Sequence, residues 1–181
     1  MSENGMSRVQ YFDQQFLRKQ EFEDEQAYHL ALRRRHNIAH HTWGIVCGLE
    51  VVIEENAPFV QPGMAVDGYG REIILPQKQP LPINVFEQKD ADLLDVWLAY
   101  DRVGSNETPT GYGRCKNGEE ISFYRWQERP LLYLDTPDPA FLDRRQPKSV
   151  PEGDWQFPPQ RTSTDDPTQD WQIFLGQVRR D

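Results

Sequence analysis

The sequence predicts an α+β, mostly β fold: a long N-terminal helix packed on a mainly antiparallel β sandwich or barrel-like domain. Three observations predict it. Residues 18–41 contain neither Gly nor Pro and are dominated by Gln, Glu, Ala, Leu and Arg, all good helix formers. After Trp43 the pattern changes to short apolar runs separated by turn residues. The chain of 181 residues also carries 14 Pro and 12 Gly, which demand many turns and short elements.

Taken in order, residues 1–10 are polar, and Tyr11-Phe12-Asp13 with Phe16-Leu17 then forms an aromatic anchor. In the helix that follows, Glu21, Glu23, Asp24 and Glu25 come first and Arg33, Arg34 and Arg35 last, the order that suits the helix dipole. Arg18 and Lys19 stand where a Ser, Thr, Asp or Asn cap is expected. Gly44 and Gly48 end the helical stretch. Residues 45–54 then read as one strand, with Leu49, Val51 and Ile53 alternating against Glu50, Val52 and Glu54. Asp67-Gly68-Tyr69-Gly70 separates two apolar runs and reads as a hairpin turn, with the Asp67 side chain bonding its own backbone. Pro76, Pro80 and Pro82 mark an exposed connection. Residues 93–103 are the strongest candidate for a central strand, 104–120 read as a loop, and 121–126 and 130–134 as two further strands. Residues 135–170 hold 7 of the 14 prolines and predict an extended excursion, after which 171–178 return to the sheet. The chain is accordingly divided into an anchor and helix (1–43), a β domain (44–134), a proline-rich excursion (135–170) and a returning strand (171–181).

Composition narrows the function. Lys+Arg number 20 against 29 Asp+Glu, giving a net charge of −9, so a phosphate-binding groove is not expected. No apolar run approaches the ~20 residues that cross a bilayer, and the first residues lack the apolar core of a secretory signal. Two cysteines, Cys47 and Cys115, make no disulfide framework. Cys47, in an apolar run, is expected to be a buried strand cysteine, and Cys115 to sit on a loop beside Arg114 and Lys116. The expectation is a soluble cytoplasmic protein without cofactor. No phosphate-loop, dinucleotide or hydrolase motif is present.

The histidines are the most suggestive constellation. At about 100° per residue, Phe22, His29, His36 and His40 fall on one stripe of the helix, with Glu25 beside it. The expectation is a packing face turned to the β domain. The rival reading is a metal site at His29, His36 and His40, since an i,i+4 histidine pair can share a metal. Arg33, Arg34 and Arg35 are expected to meet carboxylates on a partner. Trp155 and Phe157, in the excursion, either anchor another subunit or fold back over a sheet edge.

Three stretches resemble a known family. Tyr11-Phe12-Asp13-Gln14-Gln15-Phe16-Leu17 resembles its "YFdGqfL" opening, with Gln14 at the place of the glycine. Arg34-Arg35-His36-Asn37, followed by His40-His41-Thr42-Trp43-Gly44-Ile45-Val46-Cys47-Gly48-Leu49-Glu50-Val51, resembles "RrHNrllHGWGVVcGLeV". Val60-Gln61-Pro62-Gly63-Met64-Ala65-Val66-Asp67-Gly68-Tyr69-Gly70-Arg71-Glu72-Ile73 resembles "V.PG.AlDg.GreI". The set is similar to bacterial proteins encoded with phage-tail-like contractile injection systems. The resemblance implies a non-enzymatic structural part of such a particle, at the baseplate, the spike or a fibre, bound to other subunits as a homo- or hetero-oligomer; the acidic balance and the lack of a long apolar run argue against nucleic acid and membrane insertion. It carries over no catalytic residue. Two other readings remain: a carbohydrate- or surface-binding β module, and the histidine-based metalloprotein.

Overall fold

The computed structural model describes residues 8–40, 43–107, 123–138 and 171–180. One helix precedes a β body of three antiparallel three-stranded sheets. The strands of this mainly antiparallel body divide among three sheets, β1-β4-β5, β2-β3-β6 and β8-β7-β9, around one core. Here β1 is Gly44–Gly48, β2 Val51–Glu54, β3 Ala57–Val60, β4 Gly63–Val66, β5 Glu72–Leu75 and β6 Gln79–Pro80. The last sheet contains β7 (Leu93–Glu107), β8 (Phe123–Asp135) and β9 (Ile173–Arg179).

Helix α1 covers Lys19–His40. Its missing cap has a substitute: Glu21 accepts a hydrogen bond from the backbone N–H of Arg18 at 2.7 Å, the backward half of a capping box. Only Asn37 is buried along this helix. The expected packing stripe is therefore corrected, because Phe22, His29, His36 and His40 are all exposed. Among the described residues, Arg33, Arg34 and Asn37, toward the C-terminal end of the helix, meet the body.

The single strand expected over 45–54 is in fact two, in different sheets. Gly48 and Leu49 have φ of +62° and +66°, which turns the chain out of the first sheet between β1 and β2. Close backbone packing enforces the turn. A Cβ on Gly48 would lie 2.1 Å from the Pro62 carbonyl oxygen, and one on Gly63 would lie 2.4 Å from that of Cys47. Each glycine thus makes room for the other's strand. Residue Val46 is the extra residue of a bulge between Ile45 and Cys47, and Cys47 faces solvent rather than the core. That reverses the expectation of a buried thiol, since β1 presents its outer side to water along Ile45, Val46 and Cys47.

A two-residue hairpin at Glu55-Asn56 joins β2 and β3, with φ of 48° and 63° at the two positions. That geometry suits the twist of paired strands but lacks the Asn-Gly signal that betrays it in a sequence. The proline-rich connection holds a further unpredicted element, α2 (Val85–Lys89), which plants Phe86 in the core. The two strands expected at 121–126 and 130–134 are one strand. Pro130 interrupts nothing because β8 lies at a sheet edge, where a missing N–H costs no ladder bond.

Strand β7 is the central strand, as the sequence predicts. Leu94, Val96, Leu98 and Tyr100 enter a core shared with Leu49, Val60, Ile73, Leu75, Leu134 and Ile173. Its opposite face is also buried: Trp97 meets Phe174 edge-on at 5.4 Å, and Asp95 accepts a hydrogen bond from Gln177 at 2.8 Å. Burial on both faces explains why this segment reads as a nearly continuous apolar run. The returning segment at the C-terminal end pairs antiparallel with β7, from Leu93↔Arg179 to Leu98↔Ile173. Trp155 and Phe157, most of the excursion, and Cys115 lie outside the described residues.

Candidate interaction site at the helix junction

Two of the three stretches that carry the resemblance meet at one place, the contact between the end of α1 and the turn joining β4 to β5. In that turn Asp67 accepts from the backbone N–H groups of Tyr69 (3.0 Å) and Arg71 (2.9 Å), the expected Asx geometry. Its second oxygen takes the Nε–H of Arg71, and both side chains are almost fully buried. Burial pushes the Asp67 carboxyl above its ordinary range, while Arg71 and the two amide donors pull it back. The Arg71 guanidinium stacks 4.4 Å from the ring centroid of Tyr100 and 5.2 Å from that of Tyr69.

Two glycines let other segments approach this turn. A Cβ on Gly68 would strike Trp171 at 2.2 Å, and Trp171 in turn meets Trp43 and Tyr69 edge-on at 5.3 and 5.5 Å. The residue just ahead of β9 is thereby clasped between the start of the β body and the turn. Gly70, with φ +76°, lies under α1; a Cβ there would come within 2.4 Å of the Arg34 carbonyl oxygen. Asn37 Nδ2 donates to the Gly70 carbonyl at 3.0 Å and to Glu72 at 3.3 Å. Arg33 grips the same Glu72 with two nitrogens, its Nε at 2.9 Å. This bidentate fork fixes the helix rotationally as well as in position.

A narrow cleft remains between helix and turn, lined by residues that include Leu30, Arg34, Arg71, Tyr100 and Glu128. Tyr100 donates to Glu128 at 2.7 Å, and burial with the nearby Glu128 carboxylate pushes the phenol well above its ordinary 10.0. The sign follows directly. A raised folded-state pKa contributes stability that is intact below pH ~10 and is lost as pH rises beyond it. The stability of Tyr100→Phe is therefore expected to fall less steeply than wild type above pH ~10, measured by urea unfolding across an alkaline series. Parallel curves would show that Tyr100 plays no part in the alkaline loss.

The other sequence candidates are placed as follows. His29 Nε2 contacts Glu25 at 2.9 Å on the exposed helix surface. The His36 and His40 rings lie 4.6 Å apart, and His29 does not join them. Among the described residues no group of three or more His, Cys, Asp or Glu side chains is gathered as a metal site requires. The carboxylate that Arg33 meets belongs to its own chain. Sequence reasoning missed Glu72 and Trp171, although Glu72 stands inside a matched stretch. The structure adds ion-pair partners for two buried carboxylates, Arg71 for Asp67 and Arg129 for Asp101.

Upstream of this junction the chain displays its aromatics outward. Phe12 is 69% and Phe16 82% exposed, with Tyr11 and Phe22 each more than half exposed. A small turn links Phe12 and Gln15, with Gln14 at φ +64° where the family pattern has glycine. No described helix is long and apolar enough to cross a membrane.

No family model matches the chain, and no curated protein matches it either. Among solved structures it is similar to a chain of the type VI secretion system TssK-TssF-TssG baseplate subcomplex, seen by cryo-electron microscopy. Identity is 16% over 98% of this chain and 57% of that one, with a TM-score of 0.45. It is also similar to a chain of the baseplate complex from the type VI secretion system, at 18% identity, 72% and 47% coverage and a TM-score of 0.35. The chain thus spans about half the length of these two structural neighbours.

Proposed function

We propose that this chain is a non-enzymatic structural subunit of a bacterial contractile injection system or phage-tail-like particle. It works in the cytoplasm as part of the particle, at the baseplate, spike or fibre, by binding other subunits. The observation that carries the reading is the exposed aromatic arm. Tyr11, Phe12, Phe16 and Phe22 are each more than half exposed, and aromatic side chains of this kind are the usual anchors of protein interfaces. The sequence resemblance supports it. The matched residues Asn37 and Gly70 join the C-terminal end of α1 to the body, which suits a part whose work is geometric.

The test is mass spectrometry of contractile particles sedimented from the native host. The chain is expected at a fixed ratio to tail proteins, and its absence from intact particles would overturn the reading. A variant sharpens the test. Because both side chains are exposed, the double substitution Phe12→Ser, Phe16→Ser should change folding stability by no more than about 0.5 kcal/mol. It should nevertheless remove the chain from the particle. Unchanged incorporation would show that the arm is not the docking element.

A further inference from the structure

We propose that His36 and His40 form one half of a divalent transition-metal site, which the same two residues of a second copy complete. The two side chains stand one turn apart at the C-terminal end of α1, and both are exposed. Their ring centroids lie 4.6 Å apart, with the planes tilted by 46°. Two imidazoles that share a tetrahedral zinc through bonds of ~2.0–2.1 Å have ring centres about 5 Å apart, so the pair already stands at chelating distance. Among the described residues the contact of each ring is with the other, and neither is engaged by a carboxylate. His29 differs, since its Nε2 is held by Glu25 at 2.9 Å.

The surroundings suit a cation. The last turn of a helix carries a partial negative charge from its unpaired carbonyl groups, and this is where the pair sits. Arg33, on the same side of α1, is neutralised by Glu72, which it grips with two nitrogens. Neutral imidazole is a ligand suited to zinc, copper and nickel. One copy nevertheless supplies only two ligands, because among the described residues no third His, Cys, Asp or Glu side chain joins them. A structural zinc site is closed by four. A second copy meeting the same ion across a two-fold axis brings its own pair and completes a tetrahedron of four imidazoles. The incomplete coordination set thus selects the occupant: a half-site of two identical ligands is its own complement. Neither histidine takes part in the junction with Gly70 and Glu72, so metal binding leaves that contact in place. The inference goes beyond the assembly role and does not depend on which particle holds the chain.

Sedimentation velocity of the purified full-length chain, stripped of metal with EDTA and then titrated with Zn²⁺, tests it. Wild type is expected to gain a dimer as zinc is added, with one ion taken up for every two chains, and to lose it when EDTA returns. His36→Asn and His40→Asn should each weaken this zinc-driven association by about tenfold or more, because one imidazole per copy leaves the ion two ligands short. His29→Asn, on the same side of the helix, should leave it unchanged. Circular dichroism on each variant checks that the helix persists. A wild-type chain that gains no dimer at any zinc concentration overturns the proposal. Uptake of one ion per chain without association overturns it too, as does a zinc-driven dimer that folded His36→Asn and His40→Asn both retain. Because this readout uses the isolated chain, its failure is distinguishable from absence of the chain in particles.

Discussion

Arg71→Met is expected to destabilise the protein by about 3–5 kcal/mol, the cost of breaking a buried ion pair from one side. The methionine keeps most of the aliphatic stem but leaves the fully buried Asp67 carboxylate with only the two backbone amides of its turn. It also removes the cation stacked on Tyr100, although that share is smaller. Asp67→Asn in the same background takes away the stranded charge and should recover part of the loss. The double-mutant cycle then gives a coupling energy of at least ~1 kcal/mol between neighbouring sites. Urea midpoints at neutral pH measure all four species. If Arg71→Met costs less than ~1 kcal/mol, the pair is not the lock that the geometry describes.

Gly70→Ala should have the next largest effect, and a more local one. An alanine at φ +76° pays about 1–2 kcal/mol for the left-handed conformation alone. Its methyl would also meet the Arg34 carbonyl oxygen at 2.4 Å, so α1 must lift from the turn. Lifting breaks the Asn37 bond to Gly70 and loosens the Arg33 fork on Glu72. The β body, whose core lies elsewhere, should persist. Hydrogen exchange is therefore expected to rise sharply over residues 19–40 and little over β7. Uniform loss of protection would mean that helix and body unfold as one unit, and unchanged protection would mean that the turn does not hold the helix.

Individual elements show how much of this was legible. The helix was readable because its signals are local: a run of good formers, no Gly or Pro, and charges ordered along the dipole. Strand β7 was readable because burial on both faces leaves an apolar run that composition cannot hide. The Asp67 turn was readable because an Asx side chain bonds its own backbone. The break between β1 and β2 was not, since Leu49 at φ +66° is a conformation that its residue type does not announce. Gln14 is a similar case. It adopts the left-handed φ for which the family pattern uses glycine, so the backbone demand survives the loss of the residue that normally signals it. The apolar run around Cys47 does not signal its exposure, because a bulge with an open outer face decides it.

The histidine stripe shows the same limit at the level of the site. Helical periodicity correctly grouped Phe22, His29, His36 and His40 on one side of α1, but periodicity says only which residues share a face. Which face meets the body was decided by Gly70, where the helix backbone comes close, and by Glu72, which meets Arg33 across 39 positions of sequence. The sequence by itself determined the class of elements, the turn chemistry and the central strand, because those follow from interactions within a few residues. Only the tertiary structure decided the division into three sheets, the partner of each buried charge and the outward display of the aromatic arm. Those depend on groups brought together from distant parts of the chain, and their pairing energy appears only once the intervening segments have folded.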